Sequence, residues 1–370
     1  MSYEKFLLAS ALVYMFASGC KTTQGENISD VKFYGFDNQR YQIKFENNFI
    51  MAYSHDEIEI LDEAYASLKF LFGVFHRHVE FAQYKGIPHR NPAIKILKKE
   101  LIDEGGVKKL KVTYLFDDEV VFNKALNKAK IEFWLPKNRS EIYKMAMVGK
   151  KAECTDEHYW TEGDFWYFWN PDKAGCPASF KDGLYRVTAT VNAVPNTVNK
   201  FPLYGQLGAN GKRIVYVAHG VDKNFESDDT GVKAYKGTLV ELGKLGFTEI
   251  AIVNNEPDQK QSIYSAKANG YNIELHIGLF KSGGKPFTDF GRAGLSSADL
   301  FIYNGHSGLG GYLPPSRFAP LTLPQKYQVF FFNGCSTFAY YNGNYFQKKK
   351  EVIGRPGSEK LEIVTSGLEA

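Results

Sequence analysis

Two stretches near the carboxyl end decide the fold: ADLFIYNGHSG (residues 298–308) and YQVFFFNGCST (327–337). Each is a bulky apolar run without the polar alternation of a half-buried strand, and each closes on a glycine-containing turn. Such runs read as strands covered on both faces. Working outward, RIVYVAHG (213–220), TEIAIVNN (248–255), SIYSAKANG (262–270), YNIELHIG (271–278) and LEIVTSG (361–367) continue the series, with a helical stretch around 232–245. The expectation over 212–370 is an α/β domain with a mostly parallel sheet flanked by helices. Ligands of such sheets gather outside the carboxyl ends of the strands. His306 and Cys335 both stand there.

Upstream, residues 31–195 read as a β-rich α+β domain. Alternation over 31–53, 109–122, 130–136 and 184–194 predicts strands, and apolar spacing over 56–75 predicts a helix. Residues 195–211, rich in Pro, Gly and Asn, read as a linker. The segment AECTDEHYWTEGDFWYFWNPDKAGCPASF (152–180) holds Trp160, Trp166 and Trp169 between Cys154 and Cys176. It reads either as an exposed aromatic recognition surface or as a mini-core stapled by a disulfide, the second favoured by the burial that large aromatics bring.

The first twenty residues bear on the compartment. Lys5 precedes an apolar run from Phe6 to Phe16, too short to span a bilayer and of signal-peptide length. Ala17-Ser18-Gly19-Cys20 resembles a bacterial lipobox, with Ala17 where leucine is usual. Residues 1–19 are then a lipoprotein signal, Cys20 the lipidated residue, and 20–30 a tether; an ordinary cleaved secretory signal is the other reading. Either takes the chain out of the cytosol, to the cell envelope as a membrane-anchored lipoprotein in the first case. In an oxidising compartment Cys154 and Cys176 are expected to pair, stabilising by about 3 kcal/mol. Cys335 is left as the odd thiol. A net charge of +4 without a basic block gives nucleic-acid binding no electrostatic footprint.

An imidazole beside a thiol makes the thiolate accessible. Glycine flanks both groups here, in Asn304-Gly305-His306-Ser307-Gly308 and Asn333-Gly334-Cys335, so substrate backbone could approach. Backbone N–H groups near Gly308 and at Cys335, next to Gly334, are suited to hold a developing oxyanion. An apolar block ending in a histidine turn, followed by a second ending in cysteine, resembles the double signature of the caspase–legumain–gingipain clan of cysteine peptidases, the gingipain-like bacterial branch most closely. The resemblance covers about residues 212–367, and Ser307 stands where glycine usually follows the histidine. It implies a caspase-like sheet, Cys335 as nucleophile, His306 as proton-transfer partner, and the amides of Ser307 and Cys335 as the oxyanion hole.

Other candidates are weaker. His219 also ends an apolar strand and competes with His306 as the imidazole. Asp222, Asn224, Glu226, Asp228 and Asp229 form an acidic loop that lacks the glycine and terminal glutamate of an EF-hand and reads as solvated. His76 and His78 read as surface histidines without further metal ligands nearby. The expectation is an exported cysteine endopeptidase acting on a protein or peptide substrate, with no cofactor, no metal and no nucleic-acid partner. The alternatives are a non-catalytic surface lipoprotein using the fold as a binding scaffold, and an amidase or acyltransferase with the same dyad.

Overall fold

The computed structural model describes residues 39–89, 92–155, 161–195, 203–208, 210–308, 310–335, 337 and 344–366. The expected signal segment and tether, with Cys20, and Trp160 lie outside the described residues. The chain divides into two compact units, one within Phe33–Val198 and the other within Asn199–Ala370. Among the described residues no helix is long and apolar enough to cross a membrane.

The first unit holds β1 (Gln39–Ala52), α1 (Glu57–Leu68), α2 (Phe70–Arg77), β2 (Ile87–Pro88), β3 (Ile94–Glu104), β4 (Val107–Phe122) and β5 (Lys130–Pro136). It continues with α3 (Arg139–Met145), β6 (Met147–Val148), β7 (Lys151–Ala152), α4 (Phe165–Phe168) and β8 (Leu184–Val194). Its six-stranded sheet runs β2-β4-β1-β8-β5, with β3 also on β4, and every pairing is antiparallel. Gly105 and Gly106, at φ +65° and +84°, make the turn that folds β3 onto β4. Strand residues alternate in burial, and the inward set packs as rings: Phe45 stacks on Phe116 at 4.7 Å and meets Phe133 edge-on at 5.3 Å. Helix α2 is apolar nearly all round and is buried from Phe70 to His76.

The segment 152–180 packs onto that helix. Cys154 and Cys176 form a disulfide with a Cα–Cα distance of 4.6 Å. Trp169 is fully buried and its Nε1–H donates to Phe70 O at 2.9 Å. A Cβ on Gly73 would fall 2.2 Å from Trp169 Cδ1, so only glycine lets α2 approach this closely. With Trp166 also buried, these two indoles belong to a stapled mini-core rather than a recognition surface.

The second unit holds β9 (Lys212–Val221), α5 (Thr230–Lys244), β10 (Thr248–Glu256), β11 (Gln259–Ala268), β12 (Tyr271–Lys281) and α6 (Lys285–Ser297). β13 (Leu300–Asn304), β14 (Gln328–Asn333), α7 (Asn344–Ile353) and β15 (Leu361–Thr365) follow. The seven-stranded sheet runs β10-β11-β12-β9-β13-β14-β15. Val215, Val217, Leu275, Ile277, Leu300 and Ile302 face one layer of core with Val232, Tyr235 and Leu242 of α5. Their strand neighbours face the other: Tyr216 meets Phe290 at 5.1 Å, Tyr303 meets Phe287 of α6 at 5.4 Å, and Phe330 meets Tyr345 of α7 at 5.5 Å. Burial on both sides is why these strands read as unbroken apolar runs.

The expectation of a mostly parallel, caspase-like sheet is overturned. β10, β11 and β12 form an antiparallel meander, which makes the sheet mixed, and the other unit is antiparallel throughout. The cause is loop length. Two residues separate β10 from β11 and two separate β11 from β12, and a parallel crossover needs a dozen or more. Asn269 and Gly270, at φ +50° and +80°, supply the left-handed pair that such a hairpin turn requires.

Candidate active site

β13 lies between β9 and β14, parallel to both, with Asn304 level with His219 on one side and Asn333 on the other. The three side chains join across the strand ends. Asn333 Nδ2 donates to Asn304 Oδ1 at 2.9 Å, and Asn304 Nδ2 reaches His219 Nδ1 at 3.5 Å. His306 and Cys335 follow Asn304 and Asn333 by the same two-residue offset, so both leave one end of the sheet side by side.

The two turns touch through backbone. Gly305 N donates to Asn333 O at 3.0 Å, and a Cβ on Gly334 would fall 2.6 Å from Gly305 O and 3.4 Å from Ser307 N. Glycine at 334 is therefore a condition for the contact, and the Ser307 amide sits beside the cysteine turn. Ser307 is buried, and its carbonyl accepts from Gly310 N and Tyr312 N at 3.1 and 3.3 Å. Gly308 is exposed at φ +59°, where a side chain would meet the Tyr312 ring at 2.8 Å. The cysteine turn is anchored by Thr337, whose hydroxyl donates to Phe332 O at 2.7 Å and accepts from Ser366 N at 2.9 Å. Cys335 itself is partly buried and lies outside the disulfide.

His306 is solvent-reachable, its side chain 56% exposed, and its ring Nε2 lies 2.8 Å from Asp222 Oδ1. That bond leaves Nδ1 for a proton-transfer role. Behind it, the Tyr303 hydroxyl donates to His306 O at 2.6 Å and lies 2.9 Å from Ser282 Oγ, within the buried aromatic layer. Burial raises the Tyr303 pKa, so the hydroxyl stays protonated and able to donate.

Asp222 owes its place to Asp229. The Asp229 carboxylate accepts from Gly231 N and Val232 N at 2.8 and 3.1 Å, capping α5, and from the backbone N–H groups of Asp222, Lys223 and Asn224 at up to 3.2 Å. Burial pushes its pKa up, but these N–H groups outweigh that and hold it down at about 2. The start of α5 also sits hard against β9, since a Cβ on Gly231 would fall 2.0 Å from Gly220 O. The acidic loop is thus folded about its own carboxylate, which turns Asp222 toward His306. Among the described residues no group of three His, Cys, Asp or Glu side chains is placed to hold a metal ion.

The other histidines fall elsewhere. His219 is fully buried, and desolvation lowers its pKa to about 3. Its Nε2 pairs with Thr238 Oγ1 at 3.2 Å and Nδ1 faces Asn304, so it is a neutral structural ring rather than a rival to His306. His76 and His78, expected at the surface, are buried. His78 lies edge-on to Trp169 at 4.6 Å, and burial lowers its pKa to about 3. Sequence reading missed Asp222 as a partner of His306: the two are 84 residues apart, and no spacing announces the pair.

Compared with models of known protein families and with curated proteins, the chain matches none.

Proposed function

We propose that the chain is an exported cysteine hydrolase that cleaves peptide bonds with Cys335, His306 and Asp222. The observation that carries this reading is the equal offset of His306 and Cys335 from paired Asn304 and Asn333, with their turns in backbone contact. His306 Nδ1 takes the Cys335 proton as the sulfur attacks the scissile carbonyl. Asp222, held on Nε2, orients the ring and stabilises the imidazolium. The amides of Ser307 and Cys335 receive the oxyanion. Collapse gives a thioester on Cys335 while the imidazolium hands its proton to the leaving amine. Water activated by the same ring then releases the acid and restores the thiol. The chemistry draws on side chains and backbone alone.

A scaffold protein needs a contact surface, and the burial of Trp166 and Trp169 takes two indoles of the 152–180 segment away from that use. Reaction with a thiol-directed electrophile tests the proposal. Expected is selective modification of Cys335 whose rate rises with pH, falls strongly in His306→Ala, and disappears in Cys335→Ala. Equal, slow labelling of the wild type and His306→Ala would reject the dyad.

A further inference from the structure

The ends of β9, β12 and β13 close on a buried pair of hydroxyls that takes no part in the proton transfers above. Ser282 follows β12, Tyr303 lies near the end of β13, and their oxygens are 2.9 Å apart. Glycine makes room for them: a Cβ on Gly220 would fall 2.1 Å from Ser282 Oγ, and one on Gly305 would fall 2.8 Å from the Tyr303 hydroxyl. A third oxygen fixes the order of the protons. His306 O, 2.6 Å from the phenol oxygen, can only accept, so the single phenolic proton points there and Ser282 donates to Tyr303. The relay runs from Ser282 through Tyr303 to the His306 carbonyl.

That carbonyl shares one planar peptide unit with the Ser307 N–H, so a bond that fixes the oxygen also fixes the direction of the N–H. The N–H end is set apart. Ser307 is buried, its nitrogen lies 3.4 Å from where a Gly334 Cβ would stand, and among the described residues its N–H donates to no acceptor. A buried backbone donor without an acceptor is rare in a folded chain and costs free energy until something arrives to use it. We infer that Tyr303 is a positioning residue: its hydroxyl, held by Ser282, sets the plane of the His306–Ser307 peptide so that the Ser307 N–H meets the oxyanion formed at Cys335. Donation to the carbonyl also polarises the N–H on the same unit. The inference rests on the cysteine-hydrolase reading, and it acts on the tetrahedral stage rather than on the thiolate.

Two probes, each read at Cys335 by peptide mass on the full-length protein, separate these stages. With iodoacetamide the sulfur displaces iodide and no oxyanion forms. With p-nitrophenyl acetate the sulfur adds to the ester carbonyl, an oxyanion forms, and p-nitrophenolate leaves as the acetyl thioester is made. In Tyr303→Phe acylation is expected to slow about 10-fold, less than deleting an oxyanion donor outright costs, while the alkylation rate is unchanged. Ser282→Ala keeps the phenol but removes its donor, and is expected to slow acylation about threefold with alkylation again unchanged. Should the phenylalanine variant fail to fold, the serine variant carries the test alone. Acylation unchanged in these variants, or alkylation slowed in parallel with it, overturns the inference and leaves the dyad standing as long as His306→Ala slows alkylation. Alkylation indifferent to His306→Ala removes the dyad, and the role of Tyr303 with it.

Discussion

At the scale of single residues, the candidate site is two side chains that the sequence announces and one that it conceals. His306 and Cys335 stand out because each closes a bulky run beside glycine, and the strand register sets level Asn304 and Asn333, two residues before them. Asp222 is hidden because its position depends on five backbone N–H groups gathered by Asp229, a tertiary event without a sequence period. Asp222→Ala should lower kcat/KM on a peptide substrate about 100-fold while leaving the unfolding midpoint nearly unchanged, because it removes ring orientation and not the thiol. Buried His219 makes a separate prediction. Its folded pKa of about 3 lies below the ordinary 6.5, so the unfolded chain binds the extra proton. Its neutral burial therefore favours folding fully above pH 6.5, and that contribution is lost as pH falls from 6.5 toward 3, at no more than about 1.4 kcal/mol per unit. His219→Gln should flatten this acid limb in urea titrations of the second unit.

At the scale of elements, the strands covered on both faces were legible, and the antiparallel meander beside them was not. β9, β13 and β14 announce themselves by unbroken apolar runs, since alternate residues enter two core layers. The antiparallel meander escaped a reading based on runs, although Asn269-Gly270 carried the signal: two residues between strands permit only a hairpin. β3 was missed for another reason. Lys95, Lys98, Lys99 and Glu100 interrupt its pattern, and most of its residues face solvent, so no burial period is impressed on the sequence. Gly270 has no heavy atom near its Cβ position, and its φ of +80° is the sole constraint. Gly270→Ala should therefore cost about 1 kcal/mol through backbone strain alone, read as a lower urea midpoint with an unchanged slope.

At the scale of the whole molecule, the chain keeps two separate sheets, each hydrogen-bonded within its own unit. All four tryptophans, Trp134, Trp160, Trp166 and Trp169, belong to the first unit, so indole fluorescence reports its unfolding selectively. Reducing the Cys154–Cys176 disulfide should destabilise that unit by about 3 kcal/mol in urea, with labelling of Cys335 in the second unit unaffected.

The close seat of Gly231 on Gly220 has a consequence beyond packing. Where a helix begins is usually negotiable by a residue or so, but here the first turn of α5 rests on carbonyl oxygen with no room for a methyl group. Enlarging position 231 would lift the cap, loosen the bend that Asp229 holds, and carry the counter-charge of a distant imidazole away with it. A conservative-looking change at a helix origin would thus be felt as a defect in proton handling, with no residue of the site itself altered.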